Sequence, residues 1–75
     1  MIPVFNCTEE ALDYGKIMSA DMVDVFLKEN QRHYEMSKAL RLEGKWNESM
    51  EIAVKGQFYR EAVESFHGKA NRRRK

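Results

Sequence analysis

Helix-breaking residues are rare and unevenly spaced in this chain. Its one proline is Pro3, and after Gly15 no glycine occurs until Gly44. Ser19 has the side chain of a helix N-cap, and the residues between it and Gly44 carry no signal that would end a helix. This spacing predicts a long helix of about 24 residues, or ~36 Å.

A second long helix is predicted after the glycine, from near Trp46 to about His67, so that the chain folds back as an antiparallel hairpin at Gly44-Lys45. Apolar side chains recur there at every fourth position, namely Trp46, Met50, Val54, Phe58, Ala62 and Phe66. This spacing drifts ~40° per step around a helix. We therefore expect the first half of the row to pack on the long helix and the second half to turn toward the N-terminal helix or another subunit. A break at Gly56 is the alternative to one continuous helix.

The N-terminal region predicts an extended arm followed by a short helix. Pro3 and its apolar neighbours disfavour helix in residues 1–7. Thr8 is suited to an N-cap, a helix should run from about Glu9 to Tyr14, and Gly15 is suited to the C′ position. The expected fold is therefore an all-α domain of three helices, short, long and long, built on the antiparallel hairpin.

The 75 residues form one domain, with residues 8–68 as the helical body and residues 69–75 as a basic tail. A chain of this size buries a thin core, and the single Cys7 provides no internal disulfide. Oligomerisation is the remaining way to stabilise such a chain. We find neither a signal peptide nor a membrane-spanning run, which predicts a cytoplasmic protein.

The basic tail carries a concentrated charge, contributed by Lys69, Arg72, Arg73, Arg74 and Lys75. Residues 1–68 hold eight basic and twelve acidic side chains, a net charge of −4. The tail could contact nucleic acid through counterion release. It could also lie against the acidic N-terminal region near residues 14–20, or remain solvated.

The predicted long helix has a polar stretch in the middle of its apolar stripe, at Asn30, His33, Tyr34 and Ser37. Three accounts apply: solvent exposure at that level, a buried polar network, or a functional groove. Because buried polar clusters are rare, we expect solvent exposure.

No residue pattern indicates catalysis, a cofactor or a metal site. Folding at Gly44-Lys45 places His33 opposite Gly56 and leaves His67 about eleven residues, or ~16 Å, further along, too far for one metal ion. Both histidines are interpreted as structural, and Cys7 as an ordinary thiol.

Residues 39–53 resemble the turn of a tetratricopeptide repeat. The family has a Gly-polar-aromatic turn and a second helix that opens with Glu and a small residue, positions held here by Gly44, Trp46, Glu48 and Ser49. The segment is also similar to the helical region that precedes Smr-type nuclease domains. The resemblance implies one helical hairpin.

Two functional hypotheses follow. The first is a non-enzymatic helical module for protein-protein interaction or oligomerisation, with Phe58, Tyr59 and Phe66 as its interaction face. The second is a small nucleic-acid-associated factor that uses the basic tail. No small-molecule substrate, cofactor or membrane partner is indicated.

Overall fold

The computed structural model describes the backbone of residues 2–71 and the side chains of residues 2–68. This part of the chain forms three helices, α1 (Thr8–Ile17), α2 (Asp21–Leu42) and α3 (Trp46–Asn71). The predicted all-α fold with a short helix and two long ones is confirmed. Both α1 and α2 pack on α3, which is the central element of the domain.

The hairpin turn lies where Gly44 predicts it. Gly44 adopts a positive φ of 84°, a conformation that costs glycine little because it has no Cβ. The amide of Gly44 donates to the carbonyl of Arg41 at 2.9 Å, and the amide of Lys45 donates to Leu40 at 2.9 Å. These bonds satisfy the last carbonyls of α2, so that the chain reverses within three residues.

The two predicted N-caps are each off by one position. Thr8 is the first residue of α1 and Cys7 is its N-cap; Ala20, not Ser19, precedes α2. Neither cap residue makes a side-chain hydrogen bond. In α1, the negatively charged side chains of the first turn stabilise the N-terminus of the helix instead, because they lie at the positive end of the helix dipole.

Helix α1 continues through Gly15, which is buried and not a C′ residue. A Cβ at this position would collide with the backbone carbonyl of Ala62 and lie 2.7 Å from Cβ of Ser65. The hydroxyl of Ser65 also donates to the carbonyl of Leu12 at 2.8 Å. The lack of a side chain at Gly15 thus allows α1 and α3 to approach each other closely.

The apolar core lies at the end of the domain where α1 covers the hairpin. Its centre is Phe5 of the N-terminal arm, whose ring lies 5.6 Å from Tyr14, 6.0 Å from Phe26 and 5.7 Å from Tyr59. The hydroxyl of Tyr59 donates to the carbonyl of Pro3 at 2.8 Å. The arm is non-helical, as predicted, and it forms part of the core.

Helix α3 is continuous at Gly56, where a break was the alternative. Gly56 faces His33 of α2, as predicted, and a Cβ on the glycine would lie 2.6 Å from the histidine Cβ. The side-chain amide of Asn30 donates to the carbonyl of Gly56 at 2.8 Å. Glycine here permits close packing of the two long helices.

The polar stretch of α2 lies largely between the helices, so the expectation of solvent exposure is wrong for most of it. Ser37 is buried, and its hydroxyl lies 2.8 Å from the hydroxyl of Ser49 on α3. Ser49 donates its proton to the carbonyl of Ser37 at 2.8 Å, so Ser37 is the donor between the two hydroxyls. Only Tyr34, at 53% exposure, faces solvent as expected.

Candidate interaction surface

The first half of the apolar row on α3 is largely exposed to solvent and is not buried against α2. Trp46 is 59% exposed, Met50 64% and Val54 52%. The prediction that these side chains pack on the long helix is wrong. The residues of α3 that face α2 in this region include Ser49 and Gly56, whose small size lets the helices approach closely.

The second half of the same row turns toward the N-terminal region, as predicted. Ala62 is fully buried under α1, and Phe58 and Phe66 are half-buried against the core. The drift of the row around α3 therefore carries it from open solvent into the core. We refer to its uncovered part, Trp46, Met50, Val54 and the half-buried Phe58, as the α3 apolar face.

The interaction face proposed from the sequence overlaps this surface only in part. Tyr59 is 7% exposed and packs inside the aromatic core, so it is not available to a partner. Phe66 packs on the core near α1. Phe58 lies at the junction, where it contacts the core and also borders the uncovered face.

An open groove runs along one edge of the α3 apolar face, and its volume is about 470 Å³. It is lined by Phe5, Asn6, Met50, Glu51, Val54, Lys55 and Phe58. Phe5 and Asn6 bring the N-terminal arm into the lining of the groove. Along the edge, Glu51 and Lys55 add one charge of each sign beside the apolar side chains.

The opposite edge of the α3 apolar face has a different character. It borders a second groove between α2 and α3, which Asn30, Tyr34, Ala53, Gly56, Gln57 and Arg60 line. Ala53 and Gln57, the residues of this edge next to Met50 and Val54, are uncharged. Arg60, which lines the same groove, and Glu61, which lies within hydrogen-bond distance of Gln57, add charges further along this edge.

The sequence missed Glu51, Lys55 and the contribution of Phe5 to this surface. The missing information was the direction in which α2 lies relative to α3. The small residues Ser49 and Gly56 could have supplied it, because small side chains mark the side on which helices approach most closely.

The titratable groups form no catalytic constellation in the described part of the chain. Nδ1 of His33 lies 2.7 Å from the carbonyl oxygen of Glu29, and the ring of His67 lies 5.7 Å from that of Phe66. Burial, and secondarily the charge of Glu29, raise the pKa of Tyr59. Across residues with described side chains, no group of three or more His, Cys, Asp or Glu could hold a metal ion.

Two further observations concern the environment of the chain. Cys7 is exposed and carries a free thiol. Within residues 2–71, no helix combines the length and apolar character that crossing a bilayer requires.

The side chains of the basic tail, from Lys69 to Lys75, lie outside the described residues, and so does their predicted contact with residues 14–20.

Comparison with known proteins returns no match among protein-family models, curated sequences or solved structures. The fold and the surface define the chain as a small three-helix protein with an uncovered apolar face. The resemblance of its hairpin to a tetratricopeptide repeat stays a prediction.

Proposed function

We propose that this protein is a non-enzymatic helical interaction module that associates with itself through the α3 apolar face. The observation that carries the proposal is the exposure of Trp46, Met50 and Val54 in one continuous row, each more than half accessible. Scattered single apolar residues are normal on a protein surface, whereas a contiguous row with polar flanks is typical of interaction sites. The cytoplasm is the compartment we propose, since an exposed free thiol at Cys7 suits a reducing environment.

The distribution of apolar residues along the hairpin supports this proposal. At the α1 end, the apolar row of α3 is covered and contributes to the core. At the turn end, the contacts between the long helices include the buried pair Ser37 and Ser49, while the larger apolar side chains point outward. Small domains commonly add stability by oligomerisation. Covering the face would add apolar burial at the turn end.

The experiment is a measurement of molecular mass by sedimentation equilibrium over a wide range of protein concentrations. We expect the wild-type protein to form a reversible dimer. The Met50→Lys variant places a charge in the centre of both copies of the face, and we expect its dimer to dissociate at least ~10-fold more readily.

The matched control is Ile17→Lys, because Ile17 is 78% exposed on α1 and belongs neither to the α3 apolar face nor to the lining of its groove. This variant makes the same kind of apolar-to-charged change and should dimerise like the wild type. A wild-type protein that stays monomeric at every concentration would refute the proposal. So would equal weakening by the two variants, since the effect would then not be specific to the face.

A further inference from the structure

The centre of the α3 apolar face is occupied by a side chain whose polarity can be changed chemically. Met50 lies one helical turn after Trp46 and one turn before Val54. Its thioether is apolar, but a two-electron oxidant converts it into a sulfoxide, which is polar. Oxidation at this single sulfur atom therefore places a polar group in the middle of the apolar row.

Exposure distinguishes Met50 from the other methionines whose side chains the structure describes. Met50 is 64% exposed, whereas Met18 is 5% exposed inside the core and Met22 is partly buried against it. Met36, on α2, is 44% exposed and lines neither of the two grooves. An oxidant in solution thus reaches the side chains of Met50 and Met36, and only Met50 belongs to the α3 apolar face.

The effect of a sulfoxide at Met50 differs between the free chain and an associated one. In the free chain, water hydrogen-bonds to the sulfoxide oxygen at this exposed position, so the oxidised protein keeps its fold. In a contact between copies, that oxygen would be covered in the middle of an apolar row. Burial of a polar group without full hydrogen bonding is unfavourable, so the modification acts on association and not on folding.

We infer that Met50 is a redox-sensitive modification site, at which a peroxide converts the thioether into the sulfoxide and thereby weakens the contact with a second copy. This inference rests on the proposed function, because it assigns a point of control to the proposed self-association. No particular packing of the two copies is required, only that the contact covers Met50.

The reaction needs one peroxide for each sulfur atom. A lone pair of the sulfur attacks one oxygen of hydrogen peroxide, the O–O bond breaks and an S–O bond forms. The sulfur loses two electrons, and the peroxide is reduced to water. Methionine sulfoxide reductases reverse the change: two thiols supply the electrons and become a disulfide, and the oxygen leaves as water.

Association and oxidation then oppose each other. A second copy that covers Met50 shields its sulfur, so oxidation proceeds through the free chain and slows as the dimer population rises. Met36 lies outside the face and serves as a reference within the same molecule. The expected signature is protection that depends on protein concentration at Met50 and not at Met36.

The first measurement follows oxidation by hydrogen peroxide, with peptide mapping by mass spectrometry to locate each added oxygen. All samples carry Cys7→Ser, since the exposed thiol of Cys7 also reacts with peroxide, and serine suits the N-cap position. From well below the dimer dissociation constant to about 100 times above it, mass action should lower the oxidation rate at Met50 about 10-fold. The rate at Met36 should stay constant.

The second measurement is sedimentation equilibrium before and after mild oxidation that modifies the exposed methionines and leaves Met18 intact. We expect the oxidised dimer to dissociate at least ~10-fold more readily, and treatment with reductase to restore it. Met50→Leu keeps an apolar side chain of similar volume, so this variant should dimerise like the reduced protein and stay dimeric in peroxide. Met36→Leu is the matched control and should remain sensitive.

The outcomes separate this inference from the proposed function. Concentration-dependent protection of Met50, together with a dimer that Met50→Leu makes resistant to peroxide, supports it. A dimer in which Met50 is oxidised at one rate at every concentration, or which persists unchanged once Met50 is oxidised, would overturn it and leave self-association in place. Loss of the Met50→Leu dimer in peroxide would overturn it as well. A protein that is monomeric at every concentration would overturn both proposals.

Discussion

Replacing Gly15 with alanine tests the packing that joins α1 to the hairpin. In an unconstrained helix this change is favourable, because alanine is the better helix former by about 1 kcal/mol. The structure predicts the opposite result at this position. The added Cβ would meet the carbonyl oxygen of Ala62, which belongs to the α3 backbone, and would lie 2.7 Å from Cβ and 3.0 Å from Oγ of Ser65.

The loss of stability in the Gly15→Ala variant depends on how the contact between the new Cβ and α3 can be relieved. Rotation of a side chain can move the hydroxyl of Ser65 but neither its Cβ nor the carbonyl of Ala62, so α1 must shift away from α3. Overpacking of this kind costs about 1–3 kcal/mol, and the helix preference offsets at most about 1 kcal/mol of it. Because the added Cβ meets backbone of α3 that cannot rotate away, we take the upper part of that range, about 2–3 kcal/mol. After the offset, we expect Gly15→Ala to lower the free energy of unfolding by about 1–2 kcal/mol, and the melting temperature by about 5–15 °C.

Gly68 provides the matched control, since it also lies within a helix. A Cβ built on it meets no atom of the described structure within 4 Å. Gly68→Ala should therefore raise the free energy of unfolding, by up to about 1 kcal/mol. Urea denaturation followed by circular dichroism at one fixed protein concentration measures both variants, and a common concentration keeps any association comparable.

The two variants make the same chemical change, so the signs of their effects carry the test. A Gly15→Ala variant as stable as the wild type, or more stable, would show that α1 does not approach α3 as closely as the structure indicates. Destabilisation by Gly68→Ala would show that helix propensity is not what governs an open position of α3.

Four other substitutions have expected outcomes that the same denaturation assay can check. Gly44→Ala should destabilise by about 1 kcal/mol because of the positive φ at the turn, and an unchanged stability would contradict that geometry. Ser49→Ala removes both the donor to the Ser37 carbonyl and the acceptor for the Ser37 hydroxyl, and should cost about 1–3 kcal/mol. Ser37→Ala should cost less, because Ser49 keeps its carbonyl acceptor. The raised pKa of Tyr59 means that folding favours the neutral phenol, so its contribution is complete below about pH 10 and is lost as the pH rises above that value. Tyr59→Phe should lack that part of the alkaline decline, and an identical decline in both proteins would contradict it.

The helices and the turn could be predicted because they depend on local signals. Gly44 ends one helix and its positive φ makes the reversal inexpensive, so the two long helices had to be antiparallel. That reversal was enough to place His33 opposite Gly56, as observed. The predicted N-caps were each one residue away from the observed ones. Thr8 and Ser19 have side chains that commonly cap helices, but the structure contains no capping hydrogen bond from either.

The orientation of α3 could not be predicted from the apolar pattern alone. A row at every fourth residue drifts around the helix, so it defines no single buried side. In the structure, α2 packs on the side of α3 that bears Ser49 and Gly56. Close approach and hydrogen bonding on this side outweigh the burial of Met50. The polar residues of α2 were predicted to be exposed because buried polar clusters are rare, and their partners on α3 could not be assigned until that side was known.

The same orientation gives the proposed self-association its physical reason. A side chain the size of Trp46 or Met50 stabilises a fold by about 1.5–3 kcal/mol when it is fully buried, and exposure forfeits most of that free energy. The turn end of the hairpin therefore holds apolar side chains that contribute little to the folded monomer, beside a serine pair that contributes by hydrogen bonding alone. A second copy packed on the α3 apolar face would change this balance, because each copy would cover the exposed apolar side chains of the other.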